Sequence, residues 1–139
     1  VCLGKSLSGG FMPISAVLAN NDIMDHIQPD NMDLLLEEAF AARTASAAID
    51  VIFEDKLCEN SAKLGKIFLD NLKKIFDTNG KNGKHIKEVR GLGLFLAVEF
   101  THEKLATALS LKLLENGVIA KPTHKHILKM TPPLVLKEN

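Results

Sequence analysis

The sequence predicts an α/β protein. Short apolar runs bounded by glycine or proline, such as residues 14–19 and 94–100, have the length and composition of buried strands. Between them lie longer segments of helical character, the longest over residues 33–53 and 57–76. With 139 residues, the chain can bury one modest core, so it fits a single domain or a piece of a larger protein.

Composition excludes several classes of partner. Lysine plus arginine and aspartate plus glutamate are balanced at 17 each, and tryptophan and tyrosine are absent, so neither nucleic acid nor a membrane surface is an expected partner. Cys2 and Cys58 lack the spacing of a metal or redox motif and indicate reduced thiols in an intracellular compartment. No apolar run approaches the roughly 20 residues that span a bilayer. Because the chain does not begin with methionine, we expect it to be part of a longer protein, and any targeting segment would lie outside this chain.

Lys5 is the candidate functional residue of the N-terminal segment. An apolar run ends at this lysine, and Gly9 and Gly10 follow, leaving backbone that a flat or anionic ligand can approach closely. A solvated surface lysine is one interpretation, since lysine is mostly exposed. The end of a phosphate-binding loop is another, but a helix should follow such a loop, and Pro13 and the glycines break one. The third is a Schiff-base lysine, which must reach a carbonyl group as a free amine.

Local rules predict the elements of the first part of the chain. Residues 14–19 form a short buried strand, and Asn21 caps a brief helix that Pro29 ends. The alanine-rich segment that follows contains neither glycine nor proline, so we expect a helix from about Asp33 to Phe53.

Helix and strand patterns alternate in the rest of the chain. A helix over 57–76, capped by Asn60 or Ser61, is followed by strands over 85–90 and 94–100 with a turn at the Gly-Leu-Gly between them. Thr101 caps the next helix, which Asn116-Gly117 stops, and strands are expected over 118–121 and 127–130. A metal site at His124 and His126 is disfavoured, because no third ligand lies nearby in the sequence, so we expect a polar loop there and no bound metal.

Several ordered blocks of sequence resemble the class III aminotransferases, which are pyridoxal-phosphate-dependent enzymes of fold type I. The blocks are Leu3-Gly4-Lys5-Ser6-Leu7-Ser8-Gly9-Gly10, Leu57-Cys58-Glu59-Asn60, Val89-Arg90-Gly91-Leu92-Gly93-Leu94, Ala120-Lys121-Pro122-Thr123-His124 and Thr131-Pro132-Pro133-Leu134-Val135. The resemblance implies that residues 1–53 are the C-terminal part of the large cofactor domain. It also implies that residues 57–139 form the small C-terminal α+β domain.

The resemblance further implies a function. Lys5 would be both the catalytic and the cofactor-binding lysine, with pyridoxal 5′-phosphate as cofactor. Transfer of the δ-amino group of ornithine to 2-oxoglutarate is the implied reaction, in a homodimer of the mitochondrial matrix or cytoplasm. A family member acting on acetylornithine is one alternative, and an inactive fragment from a damaged gene is another.

Lys129 departs from the family. The resemblance places Lys129 where members carry an arginine that clamps a substrate carboxylate, so it is the candidate substrate-binding residue. Arginine binds a carboxylate through a planar two-pronged contact that lysine cannot copy, so this exchange weakens the expectation. A lysine on an exposed strand edge is the alternative.

A second departure covers residues 30–46. Family members have a His-Gly-Ser-Thr-aromatic-Gly-Gly segment here, whose Ser and Thr bind the cofactor phosphate of the neighbouring subunit, whereas this chain has no glycine there. Read one base out of frame, the codons for residues 32–38 permit His-Gly-Ser-Thr-Phe-Gly-Gly. We therefore hypothesise a frameshift, and the alternative is a diverged helix with a solvated Glu37-Glu38 pair. Sequencing of the transcript and genomic DNA through the Ala48 codon distinguishes the two.

Overall fold

The chain is divided into two compact units, Val1–Lys56 and Leu57–Asn139. The structure is a computed structural model, and it describes residues 1–27, 36–77, 79–80 and 83–138. Each unit combines helices with antiparallel strands, which confirms the mixed helix-and-sheet class.

The first unit is built around a two-stranded ladder. Its elements are strand β1 (Cys2–Leu3), a 3-10 turn (Lys5–Ser8), strand β2 (Ala16–Val17), helix α1 (Asn21–Met24) and helix α2 (Leu36–Glu54). Cys2 pairs with Val17, and the backbone groups of Val1 and Leu18 exchange hydrogen bonds of 2.8 and 2.7 Å. The predicted strand over 14–19 is therefore too long, because β1 ends before Gly4 and offers no further partner. Asn21 begins α1 but does not cap it; Asn20 is at the cap position and makes no side-chain cap bond.

Helix α2 packs against the 3-10 turn. Ala41 and Ala45, one helical turn apart, are buried, and a Cβ on Gly9 would lie 3.5 Å from the Cβ of Ala48. The predicted C-terminal end at Phe53 differs from the observed end by one residue. The predicted start at Asp33 and the first part of the proposed frameshift, residues 30–35, lie outside the described residues.

The second unit is a four-stranded antiparallel sheet with helices on one face. Its elements are α3 (Leu57–Ile75), a 3-10 turn (Gly83–His85), β3 (Ile86–Leu92), β4 (Phe95–Phe100), α4 (Glu103–Glu115), β5 (Lys121–Thr123) and β6 (Ile127–Met130). The strand order is β3-β4-β6-β5. The sequence placed α3, α4 and β6 correctly to within about two residues, whereas the strand expected over 118–121 begins only at Lys121.

The core of this unit lies between the sheet and the two helices. Val98 is paired with Val89 on one side and Leu128 on the other, and this row of apolar side chains is buried. The residues that pack on the row from α3 and α4 are Phe68, Leu69, Leu72, Leu105, Ala106, Leu109 and Leu113. The cap predicted at Thr101 is wrong: His102 precedes α4 without a side-chain cap bond, and the Thr101 hydroxyl donates to the Lys84 carbonyl instead.

The β3–β4 turn lies directly against α3. Gly93, at φ +54°, makes the turn, and a Cβ built on Gly65 would lie 2.2 Å from the carbonyl carbon and oxygen of Gly93. The amide of Leu94 donates to the Ser61 hydroxyl at 3.1 Å. The predicted turn at the Gly-Leu-Gly is therefore confirmed only at Gly93, because Gly91 and Leu92 belong to β3. The helix can approach the turn this closely because position 65 has no side chain.

Asn60 ties the C-terminal segment to α3. Its Nδ2 donates to the carbonyls of Leu134 at 2.7 Å and Leu136 at 3.0 Å, and Lys63 forms an ion pair with Glu138 at 2.7 Å. The helix begins at Leu57, so neither Asn60 nor Ser61 caps it as predicted.

Replacement of Asn60 by alanine is expected to release the segment over 134–138. Loss of both hydrogen bonds at this solvent-accessible site should lower the free energy of unfolding by about 1 kcal/mol. Amide exchange of the segment should accelerate by about tenfold or less, and urea unfolding with exchange mass spectrometry measures both effects. Glu59→Ala, on the same helical turn, is the control for the exchange measurement and should leave exchange of the segment unchanged. Unchanged exchange in Asn60→Ala would contradict this role.

Candidate functional site

Lys5 begins the 3-10 turn that follows β1. Gly4 is extended, with φ −176° and ψ −160°, and Lys5 then adopts φ +55°, in the left-handed region. A lysine in that region is uncommon and costs on the order of 1–3 kcal/mol, so its surroundings must hold it there. The Lys5 side chain is exposed.

Backbone hydrogen bonds and glycines hold this turn. The amide of Leu7 donates to the Gly4 carbonyl at 3.2 Å, and the amide of Gly9 donates to the Ser6 carbonyl at 2.9 Å. Gly9 and Gly10 have φ of +68° and +85°, conformations that residues with a Cβ rarely adopt. The sequence analysis expected these glycines to leave backbone open to a ligand, and their backbone angles show a second reason for glycine at both positions.

Ser8 is a residue of this site that the sequence did not single out. Its hydroxyl donates to the Met12 carbonyl at 2.5 Å and accepts from the Met12 amide at 3.0 Å, and the residue is only 2% exposed. A serine directly before two glycines was the available signal, but its contact with Met12 depends on how the loop folds.

Lys129 lies in the second unit, on the inner strand β6. It is half-buried and is paired with Ala97 of β4 and Lys121 of β5, so the alternative of an edge lysine is wrong. Because side chains alternate along a strand and Leu128 faces the helices, Lys129 is on the opposite face of the sheet. Its Nζ lies 5.8 Å from the centre of the Phe95 ring, within range of a cation–π contact.

The same face carries a charge cluster around Glu99. The carboxylate of Glu99 accepts from Lys87 at 2.5 Å and from Arg90 at 2.6 Å, and the Nε2 of His126 lies 3.5 Å away. The Glu99 side chain is 8% exposed. The hydrogen bond from Lys87 and then that from Arg90 lower the pKa of Glu99 from 4.5 to about 2. In return, the hydrogen bond to Glu99 raises the pKa of Arg90.

Glu99 should make stability depend on pH in the acid range. Because its pKa is lower in the folded chain, its contribution is present above pH 4.5 and is lost as the pH falls towards about 2. Glu99→Gln should lower the urea midpoint at pH 7 and flatten its dependence on pH over this range. The control is Glu88→Gln, a partner of Arg90 whose side chain is 55% exposed; it should leave the profile nearly unchanged. An unaltered profile in Glu99→Gln would show that the cluster does not act through this carboxylate.

Other site types find no support in the described part of the chain. Within it, no group of three or more His, Cys, Asp and Glu side chains is placed to hold a metal ion. None of the helices described has the length and apolarity needed to cross a membrane. A cavity of about 570 Å³ lies beside Gly65, lined mainly by apolar residues of α3 and the β3–β4 turn, and it includes neither Lys5 nor Lys129.

Comparison with known proteins identifies the family. The family model named "Aminotransferase class-III" matches residues 1–139. This chain belongs to the class III aminotransferases. The resemblance carried by the sequence blocks is thereby confirmed.

Relatives of this class III aminotransferase chain have consistent names. It is 46% identical to "Ornithine aminotransferase, mitochondrial" of Arabidopsis thaliana, with 100% of this chain and 30% of the relative aligned. It is 44% identical to the ornithine aminotransferase of Plasmodium yoelii yoelii, over 98% of this chain and 32% of the relative. The chain thus spans about a third of the length of the relatives it matches.

Solved structures match the fold of the chain as well. Ornithine delta-aminotransferase of Plasmodium falciparum superposes with a TM-score of 0.86 at 40% identity, over 99% of this chain and 34% of that one. Acetylornithine aminotransferase of Elizabethkingia anophelis gives 0.85 at 41% identity, over 99% and 36%.

The surroundings of Lys5 fit the cofactor expected for a class III aminotransferase. Pyridoxal 5′-phosphate attaches to a lysine amine and needs room for a flat ring beside it. Lys5 is exposed; Gly4 directly precedes it, and Gly10 follows in the loop after the 3-10 turn, so both leave backbone without a side chain. Among the described residues, no atom lies within 4 Å of where a Cβ on Gly10 would be. These residues can therefore form the lysine-bearing wall of such a site.

Proposed function

We propose that this chain forms the Lys5-bearing part of an ornithine aminotransferase. The reaction transfers the δ-amino group of ornithine to 2-oxoglutarate and yields glutamate semialdehyde and glutamate. The observation that carries the proposal is the position of Lys5, exposed and left-handed at the end of β1 beside bare glycine backbone. Relatives named ornithine aminotransferase, 40–46% identical over nearly the whole chain, support the choice of substrate.

Lys5 is the catalytic and cofactor-binding residue of the proposal. When bound, pyridoxal 5′-phosphate supplies an electron sink for the carbon that loses its proton. The Nζ of Lys5 would hold the cofactor in the resting enzyme, and its free amine would accept the proton from the δ-carbon of bound ornithine and pass it on. This role requires an amine that can reach the substrate, and the Lys5 side chain is exposed at the end of β1.

Lys129 is the proposed substrate-binding residue. Its ammonium group offers a substrate carboxylate a point charge in place of the two-pronged contact of arginine. Two features support the proposal: Lys129 lies on the face of the sheet opposite the helices, and Phe95 lies beside its Nζ.

The domain division, the oligomeric state and the compartment of the protein are further parts of the proposal. We propose that residues 1–53 are the C-terminal part of the large domain and 57–139 the small domain, an assignment supported by the division of the chain near Lys56. We also propose a homodimer. The mitochondrial names of the Arabidopsis and rice relatives favour the mitochondrial matrix over the cytoplasm.

Borohydride trapping tests the role of Lys5. The purified protein is incubated with pyridoxal 5′-phosphate, reduced, digested and analysed by mass spectrometry. We expect the label on the peptide that contains Lys5. Lys56 is a matched control, since it is also an exposed lysine in the left-handed region, at φ +50°, and it should carry far less label. Equal labelling of the two lysines, or none at Lys5, would favour the inactive product of a damaged gene.

An acetylornithine aminotransferase is the second candidate, favoured by the structure from Elizabethkingia anophelis. Competing amino donors separate the two in the full-length protein that carries this chain. With ornithine, glutamate semialdehyde should accumulate and acetylornithine should react more slowly. A faster reaction with acetylornithine than with ornithine would favour the acetylornithine aminotransferase instead.

A further inference from the structure

We propose that Ser8 is a positioning residue that helps to hold the backbone of Lys5, at the start of the turn, in its left-handed conformation. The proposal rests on the proposed function to the extent that Lys5 carries the cofactor. It assigns a role to a buried hydroxyl that the reaction itself does not use.

The hydroxyl of Ser8 both donates and accepts a hydrogen bond. It donates its one proton to the Met12 carbonyl and accepts the proton of the Met12 amide, at 2.5 and 3.0 Å. At 2% exposure, the residue is closed to solvent. A nucleophilic role is therefore disfavoured, because the hydroxyl donates its proton to a carbonyl oxygen, which cannot act as the general base that a serine nucleophile needs.

The two hydrogen bonds span the two most flexible residues of the loop. Gly9 and Gly10 lie between Ser8 and Met12, and glycine reaches both left- and right-handed conformations at little cost. Two successive glycines cannot hold a loop by their own sterics. The Ser8–Met12 contact closes the loop around them and so fixes both in the left-handed region, at φ +68° and +85°.

The constraint reaches Lys5 through the turn. Ser8 is the last residue of the turn that Lys5 begins, and the amide of Gly9 donates back to the Ser6 carbonyl. If the hydrogen bonds between Ser8 and Met12 are lost, the hydrogen bond from the Gly9 amide to the Ser6 carbonyl can break as well. Lys5 can then relax from its left-handed conformation, which costs energy. Ser8 thereby acts on the direction of the Lys5 side chain without touching the reacting atoms.

Amide exchange on the Lys5 turn tests the proposal without any cofactor. In Ser8→Ala we expect the amides of Leu7, Gly9 and Met12 to exchange about five- to tenfold faster, equivalent to the net loss of about one hydrogen bond. Ser8→Thr keeps the hydroxyl and should restore slow exchange; if its extra methyl group prevents folding, the near-isosteric Ser8→Cys should give an intermediate rate. The matched control is Ser6→Ala, because Ser6 is exposed and its hydroxyl makes no hydrogen bond within the part of the chain that is described. Exchange at Leu7 and Gly9 that stays at the wild-type rate in Ser8→Ala overturns the proposal.

A second readout separates positioning from simple loop stability. The absorbance of the Lys5-bound cofactor is titrated with pH in the wild type, Ser8→Ala and Ser6→Ala. The pH at the midpoint of this absorbance change should shift in Ser8→Ala and stay unchanged in Ser6→Ala. The midpoint depends on how the Lys5 side chain is oriented towards the cofactor. Faster exchange with an unmoved midpoint would leave Ser8 a merely structural residue and overturn the proposal. Absence of cofactor at Lys5 in the wild type would instead contradict the proposed function, and the exchange rates at Leu7 and Gly9 would then decide the role of Ser8 alone.

Discussion

Substitution of Lys5 by alanine is expected to abolish trapping of pyridoxal 5′-phosphate at this site and to lower transamination by at least about 10²–10⁴-fold, the usual contribution of a general acid–base group. The amine of Lys5 is the group that the proposal needs both to hold the cofactor and to move the proton. The measurements are mass spectrometry after borohydride reduction and, in the full-length protein, the rate of glutamate semialdehyde formation. The thermal midpoint should hardly change, because the side chain is exposed.

Two further variants show whether the loss is chemical. Lys5→Arg keeps the charge and length but cannot deprotonate in a protein, so it should be as inactive as Lys5→Ala. Lys56→Ala removes another exposed, left-handed lysine and should leave trapping and rate unchanged. Substantial activity in Lys5→Arg would contradict a role that depends on a free amine.

Replacement of Gly65 by alanine is expected to destabilise the second unit strongly, although it adds only one methyl group. The added Cβ would lie 2.2 Å from the backbone of Gly93, and a main-chain obstacle cannot rotate away as a side chain can. Either α3 or the β3–β4 turn must move, which would also strain the bond between Ser61 and Leu94. We expect the free energy of unfolding to fall by about 3 kcal/mol or more, at the upper end for overpacked positions. Urea unfolding followed by far-UV circular dichroism measures the change.

Gly117 provides the matched comparison for this substitution. In the described residues, no atom lies within 4 Å of a Cβ at Gly117, but its φ is +81°. Gly117→Ala therefore carries a backbone penalty of roughly 1–2 kcal/mol without a steric one. A loss in Gly65→Ala no larger than that in Gly117→Ala would show that α3 and the turn are not in close contact.

The sequence predicted the elements whose signals are local. The apolar spacing placed α3 over nearly its whole length, and β6 was placed at its observed bounds, because these signals are contained within each segment. The strand predicted over 118–121 was placed wrongly because its bounds depend on a partner outside the segment. Its residues favour a strand by composition, but pairing with β6 selects Lys121–Thr123, and that register is decided by the hairpin.

The sequence predicted residues of the candidate site only where they belong to a recognisable motif. Lys5 was found because its neighbours form a block that resembles a family. Ser8 and Glu99 were missed, because their partners are set by tertiary structure: Met12 by the course of the loop, and Lys87 by a register irregularity between Ile86 and Glu88. Asn60 was predicted to cap α3, but it donates hydrogen bonds to the C-terminal segment instead. An asparagine near the start of a helix has the same appearance in sequence in either role.

The strand order of the second unit has a consequence for how the chain reaches its fold. β3 with β4 and β5 with β6 are hairpins between neighbours in the sequence, so each closes a short loop and forms at small entropic cost. The pairing of β4 with β6 is different, because it must close a loop that contains all of α4. The slow step of folding is therefore expected to be the docking of two preformed hairpins. The meeting of Val98 with Leu128 beneath α4, in the most buried part of the unit, is the contact that completes that step.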